Sequence, residues 1–319
     1  AGGPESDTGS NLLEGHEGDD SIEAGGFGDT VSGGSGNDII NGSIGNDIID
    51  GQEGDDIILA GDGDDIITGG LGSDEMEGGA GNDEYRFADP VSSESDTVKD
   101  TDAATTEHLD FGTSTIGVTI NLLDGSGSQG SRRITLDGPA NFENVTGGSG
   151  DDLFRDNGNS NVFVGNAGDD QYVFFAARNE NAISHVDVVI ENNGEGVDQI
   201  DFSDVPSTDD LTADLSPDEE LLLGETIALH NTRTVTTGNS VLRAHFENII
   251  GGQGDDQIRG NDAMNLLVGN GGDDEIAGRN AADDIQGNAG QDILRGEGGG
   301  DTLSGGPGDD RINGNAGPD

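Results

Sequence analysis

An apolar residue stands two places behind an aspartate at every ninth position over the first part of the chain. The aspartates are Asp20, Asp29, Asp38, Asp47, Asp56, Asp65, Asp74 and Asp83, and the apolar residues are Ile22, Val31, Ile40, Ile49, Ile58, Ile67, Met76 and Tyr85. A glycine-rich lead-in precedes each pair, as in GGSGNDIIN from Gly33 to Asn41. This is one short unit copied many times, which predicts a repeat architecture. Each unit reads as six loop residues ending in aspartate, then three residues of strand with an apolar residue in the middle. Side chains alternate between the faces of a strand, so only the middle residue points inward. One unit buries nothing alone. Two make a flattened coil in which Ile40 meets the neighbourhood of Ile49, and stacked coils pair their strands in parallel about 4.8 Å apart. The predicted fold is all-β, a parallel β-roll or β-solenoid.

The same phase divides the chain into five segments. Residues 1–87 form a first array, led by a weakened copy with Asn11 and Leu13 in the aspartate and apolar places. Residues 88–141 interrupt it. Residues 142–174 hold a short second array, with Asp152, Asn161 and Asp170 followed by Phe154, Phe163 and Tyr172. Residues 175–245 interrupt again, and residues 246–319 carry Asp256, Asn265, Asp274, Asp283, Asp292, Asp301, Asp310 and Asp319 in unbroken phase. The interruptions resemble each other: DTVKD at Asp96 parallels DVVIE at Asp187, and EHLDF at Glu107 parallels DQIDF at Asp198. Each ends in a return motif, NFENVTGGSGDD from Asn141 and HFENIIGGQGDD from His245. A duplicated module of interruption plus repeats is therefore expected. Alternation in GVTINLL (Gly117 to Leu123) and the β-branched run TRTVTT (Thr232 to Thr237) predict strands within the two interruptions.

Composition narrows the class. Hydrophobic content is 30%, aromatic content 4%, and 58 of 319 residues are glycine, so no large conventional core can be built. Sixty-six acids against twelve bases give a formal charge of -54, which repels nucleic acid and anionic membranes and attracts cations. Such a chain is expected to be disordered on its own. Cysteine is absent, which removes disulfides and thiolate metal sites. No run approaches the roughly 18 apolar residues of a membrane span. The chain opens on Ala1 with neither an initiator Met nor a signal peptide, and is expected to be a processed form or a fragment.

Two units per coil place loops of one edge eighteen residues apart. Asp20, Asp38, Asp56 and Asp74 then share one column, and Asp29, Asp47, Asp65 and Asp83 the other. Stacked carboxylates repel unless a cation lies between them. Calcium suits them, because it takes six to eight oxygen ligands at about 2.3 to 2.6 Å and accepts backbone carbonyls. Glycine permits the positive φ that turns those carbonyls inward. Magnesium demands a stricter octahedron, and softer metals prefer histidine or cysteine. The expected ligands are those eight aspartates with Asp152, Asp170, Asp256, Asp274, Asp283, Asp292, Asp301 and Asp310. Steps of eighteen between aspartates number twelve, hence on the order of a dozen ions. Asn161 and Asn265 lack the carboxylate, Phe27, Ala263 and Ala281 replace loop glycines, and Asp319 has no coil behind it.

Other chemistry is less promising. His16, His108, His185, His230 and His245 are scattered without the spacing of a zinc hydrolase, and surface or loop positions are expected. Asp62-Gly63-Asp64 suggests an EF-hand loop, but its twelfth position is Ser73 and not glutamate. Acids follow the glycine-rich loops where a phosphate cradle needs lysine. Asp89-Pro90 reads as a turn.

The units resemble the glycine-rich nonapeptide GGxGxDxUx of the RTX, or haemolysin-type, calcium-binding proteins. That resemblance implies a parallel β-roll with calcium held between successive loops by the aspartate and glycine-position carbonyls, and folding that serves secretion into a calcium-rich exterior. The expected function is that of a non-enzymatic, secreted, extracellular or cell-surface calcium-binding structural protein. Neither Ala1 to Gly9 nor Gly314 to Asp319 forms a polar cap, so end-to-end self-association into filaments is expected. The alternative is a calcium-dependent secretion and folding module of a larger toxin or secreted enzyme.

Overall fold

The computed structural model describes residues 9–102, 105–175, 185–191, 196–205, 211–214, 226–230, 233–237 and 246–319. Residues 1–8 of the stretch expected to lack a cap, Thr232 and His245 lie outside them. The chain divides into two compact units, residues 1–150 and 151–319.

In the first unit, strands alternate between two parallel sheets. Ser21–Gly26, Ile39–Ile44, Ile57–Asp62 and Glu75–Ala80 build one, and Leu12–Glu17, Thr30–Ser35, Ile48–Glu53, Ile66–Leu71 and Glu84–Arg86 build the other. Partners sit eighteen residues apart, with Ile40 beside Ile58 and Ile49 beside Ile67. Val31, Ile40, Ile49, Ile58, Ile67, Met76 and Tyr85 are buried, whereas Ile39 on the opposite strand face is 50% exposed. The inward residue of each unit thus matches the period-two expectation. Strand length does not. Most of these strands run six residues instead of three, because the ladder resumes beyond a glycine: Ile39, Ile40 and Asn41 pair, Gly42 is skipped, and Ser43 and Ile44 pair again. The loops are bonded coil to coil as well, as in Gly36 N–H to the Glu53 carbonyl at 2.8 Å.

The interruption does not leave these sheets. Ser95–Lys99 and Glu107–Asp110 each add one more parallel strand, with Val98 beside Met76 and Leu109 beside Tyr85. Val118–Asn121, Ser126–Gln129 and Arg132–Asp137 then form an antiparallel meander whose last strand lies parallel to Ser95–Lys99. A 3-10 turn at Pro139–Asn141 leads into Phe142–Thr146, which pairs with Glu107–Asp110. Phe87 stacks on Phe111 at 4.7 Å, and Tyr85 packs against Phe142 at 6.1 Å.

The second unit repeats this plan. Asp198–Asp201 continues Gln171–Val173, and His185–Ile190 continues Val162–Val164. Arg233–Thr237, Thr226–His230 and Leu211–Asp214 form the antiparallel meander, and Phe246–Ile250 pairs with Asp198–Asp201. From Gln257 the parallel coils resume, with Ile276 beside Leu294 and Leu267 beside Ile285. Aromatic residues widen the core at the short array, where Phe154 and Phe163 stack at 5.7 Å and Tyr172 meets Phe246 at 6.1 Å. The duplication seen in the sequence is a duplication of strand order.

Candidate metal sites

The repeat aspartates fall into the expected columns, yet their carboxylates do not face one another. Each reaches back one coil and accepts a backbone N–H with Oδ1. The donor is the residue eighteen places earlier: Asp20 to Asp38 at 2.8 Å, Asp38 to Asp56 at 2.8 Å, Asp56 to Asp74 at 2.9 Å, and in the other column Asp29 to Asp47 at 2.6 Å, Asp47 to Asp65 at 2.7 Å, Asp65 to Asp83 at 2.9 Å. Asp152 N–H donates to Asp170, and the third array continues the rule through Asp274, Asp292, Asp310, Asp283 and Asp301. A buried carboxylate bonded this way has its chain position locked.

The second oxygen has no such partner. Oδ2 of Asp20, Asp29, Asp38, Asp47, Asp56, Asp65, Asp74, Asp83, Asp170, Asp274, Asp283, Asp292 and Asp301 is buried without a hydrogen-bond donor. In eleven of these it points at the α-carbon of a glycine five residues earlier, whereas Ala24 and Ala60 stand at that place before Asp29 and Asp65. A methyl group placed on Gly51 would collide with Asp56 Oδ2 and lie 2.5 Å from the Gly69 carbonyl oxygen; at Gly33 the same group would meet Asp38 Oδ2 and the Gly51 carbonyl at 2.7 Å. Gly287 and Gly296 repeat the arrangement with Asp292 and Asp301 and the carbonyls of Gly305 at 2.8 Å and Gly314 at 2.9 Å. The cradle therefore joins an unsatisfied carboxylate oxygen to a carbonyl of the next coil, an all-oxygen set that fits a calcium ion. Nearby, Gly34, at φ 119°, lies against the His16 carbonyl, where a Cβ would clash, while His16 and Gln52 hold the same place in the adjacent coils at φ 78°.

Burial raises the affinity of these carboxylates for protons. Asp65 and Asp74 are pushed up to about 7, Asp274 to about 8, and Asp56, Asp83, Asp170 and Asp283 to about 6, chiefly by desolvation, with backbone hydrogen bonds opposing it. Removing water disfavours the charged form.

Departures from the pattern are informative. Asp256 has both oxygens engaged, by the N–H groups of Leu211 and Gly252 at 2.9 and 2.8 Å. Asn265 closes its own cradle: Oδ1 accepts Asn261 N–H at 2.9 Å, and Nδ2 donates to the Glu247 carbonyl at 2.8 Å. Asp319 stands in register, accepting Asp301 N–H at 3.2 Å. Phe27 and Ala281 hold the left-handed backbone of the glycines they replace, at φ 79° and 76°.

Sequence reasoning missed three features. The acid columns continue through the interruptions, with Asp74 N–H bonding Asp96, Asp83 N–H bonding Glu107, Glu107 N–H bonding Glu143, and in the second unit Asp170 to Asp198 and Asp198 to Glu247. The parallel motifs DTVKD/DVVIE, EHLDF/DQIDF and FEN carried that signal. A second ladder lies outside the first: where an Asn or Asp stands just before a repeat aspartate it accepts an N–H from the next coil, as Asp19 does from Asn37 at 2.9 Å and Asp64 from Asn82 at 2.9 Å. That is where Asp64 of the EF-hand-like triplet is used. Finally, Arg132 is buried between Glu94 and Asp96, 2.9 Å from the latter, and donates to the Ala88 carbonyl.

The remaining candidates have plain roles. His108 bonds Thr146 at 2.8 Å. Asp89 accepts from Ser114 and Thr115, the Thr115 hydrogen bonds hold its carboxyl below the usual range, and the stretch Asp89-Pro90, expected as a turn, is irregular.

The chain matches the family described as the RTX calcium-binding nonapeptide repeat (4 copies) over residues 5–26, 23–58, 50–85, 141–172, 245–276, 259–294, 268–303 and 286–319. Together these take in more than half of the sequence. The chain belongs to this family. As an RTX repeat protein it binds calcium, and the family proteins are typically secreted. A search of curated proteins found no match. Among the described residues, no helix is long and apolar enough to cross a membrane.

Proposed function

We propose that this RTX chain is a non-enzymatic, extracellular structural protein whose solenoid sets when it meets calcium, through cradles built on the repeat aspartates, on the order of a dozen in all. The observation that carries this reading is the row of buried aspartate Oδ2 atoms without a donor. An unsatisfied anionic oxygen in a dry site costs several kcal/mol, and here the cost recurs coil after coil. Calcium, when bound, supplies positive charge and a Lewis-acidic centre for those oxygens. The chain supplies the rest: Oδ1 pins each carboxylate to the preceding coil, Oδ2 faces the cradle, and a glycine, or Ala24 and Ala60 at two of the cradles, lines the space. Folding and metal binding are then one event, and the apo chain stays unfolded where calcium is scarce. Self-association belongs to the same reading, supported by outward rows in which Ile39, Ile48 and Ile57 are 50%, 48% and 41% exposed.

Far-ultraviolet circular dichroism in EGTA and then in calcium tests the coupling. A β-signal that appears only with calcium is expected, and a chain equally folded in EGTA rejects the reading. Electron microscopy in calcium tests assembly. Fibres are expected; dispersed monomers would favour instead a folding and secretion module within a larger protein.

A further inference from the structure

We propose that Asp170, Glu191 and Asp198 form a divalent-cation site that enlarges the repeat cradle at Asp170 with two acids from outside the repeats, and that Asp83, Asp100 and Glu107 form a looser counterpart in the first unit. In the second unit the three carboxylates bring oxygens within 4.8 Å of one another, and all three residues are buried. Asp170 Oδ2 has no hydrogen-bond partner, and it is aimed into the cluster: a methyl group on Gly165 would collide at once with Asp170 Oδ2, Glu191 Oε1 and the Tyr172 hydroxyl. Tyr172 bonds Glu191 and so orients it. Two of the three carboxylates lie outside the nonapeptide pattern, Glu191 just after the strand His185–Ile190 and Asp198 at the start of Asp198–Asp201, and no repeat motif assigns them.

The first unit repeats the parts. Asp100 stands in DTVKD where Glu191 stands in DVVIE, and Glu107 in EHLDF where Asp198 stands in DQIDF. Asp83 Oδ2, Asp100 Oδ2 and Glu107 Oε1 are buried without a partner, although they do not gather within the 4.8 Å of the second-unit acids. A methyl group on Gly78 would meet Asp83 Oδ2 and, at 2.6 Å, the Tyr85 hydroxyl. The neighbouring acids of the same module show what compensation looks like when the chain provides it, since Glu94 and Asp96 are met by Arg132. The charges acting on Glu107 are Asp83 and Asp100, and those on Glu191 are Asp198, Asp170 and Asp152. A bound cation relieves the repulsion of like charges packed this closely. Three carboxylates per ion, against one in a repeat cradle, raise affinity for a hard cation. The two sites therefore fill first and seed the coils on either side of each interruption. This extends the calcium reading, and its test reads a different signal.

The chain has two tyrosines and no tryptophan, and each tyrosine sits at one of these sites. Terbium(III), a hard oxygen-seeking ion, luminesces when a bound tyrosine passes it excitation, a transfer that fades steeply with distance. Titration of the calcium-free full chain should give tyrosine-sensitised emission that saturates near about two equivalents, while the β-signal needs on the order of a dozen. Calcium should displace it. Glu191→Gln should remove about half of the emission, and Glu191→Gln with Asp100→Asn nearly all. Absent emission, emission that saturates only with the β-signal, or emission undiminished in the double variant overturns the proposal. The wild-type titration decides the matter even if a variant fails to fold. A chain folded without calcium would reject the coupled-folding reading and leave the emission result standing.

Discussion

At the scale of the residue, the two oxygens of each repeat aspartate do different work. In Asp65, Oδ1 takes the Asp47 N–H at 2.7 Å and Oδ2 is left to the cradle. Asp65→Asn should keep most of the first role and lose the second. We expect fewer bound ions by calorimetric titration and a loss of about 1–3 kcal/mol in calcium-saturated unfolding. Asp64→Asn, one position away, should leave the ion count unchanged, because Asn46 and Asn82 already serve in that ladder. Equal ion loss in both variants would show that the inner and outer ladders had been confused. Gly33→Ala tests the space itself, since its methyl group would occupy the cradle of Asp38; weakened calcium binding with an unchanged outer ladder is expected. The repeat aspartates were legible because nine-residue phase is a property of the string. The fate of each oxygen was not, because it depends on the coil eighteen residues away.

At the scale of the element, each strand contributes one inward residue, so stability is spread along the stack. Ile58 is fully buried and Ile57 is 41% exposed. Ile58→Ala should cost about 2–5 kcal/mol in calcium, and Ile57→Thr should stay within about 0.5 kcal/mol, measured by thermal or denaturant unfolding. Comparable losses at both positions would contradict the register. Within the first interruption, Arg132 is the pivot. Arg132→Met removes the cation from Glu94 and Asp96 and should destabilise the first unit by about 3–5 kcal/mol. GVTINLL and TRTVTT were readable as strands from alternation, and Val118–Asn121 and Arg233–Thr237 are strands. Their antiparallel order was not readable, since either direction buries the same alternate residues.

At the scale of the whole molecule, charge governs behaviour. Desolvation pushes Asp65 and Asp74 up to about 7 and Asp274 to about 8. An unfolded aspartate releases its proton near about 4, so the calcium-free fold holds protons that the unfolded chain gives up. The stability this contributes is fully present below about pH 4 and is lost as pH rises through about 7 to 8. Without calcium, lowering the pH should therefore favour the β-signal. With calcium the direction reverses, because protons compete for the same oxygens, and acid should release the metal. Circular dichroism against pH, with and without calcium, checks both slopes; parallel slopes would reject the account.

The sequence alone determined the repeat, the inward apolar residue, the eighteen-residue columns and the duplicated interruption, because each is a matter of period and a flattened coil allows few ways to satisfy it. Tertiary structure decided what period cannot express. It turned the carboxylates away from one another toward backbone donors and glycine carbonyls, carried the acid columns into Asp96, Glu107, Asp198 and Glu247, and set Arg132 against one acid cluster. Those choices follow from which side chains a fold brings into the same dry space, and that is settled only when the strands have stacked.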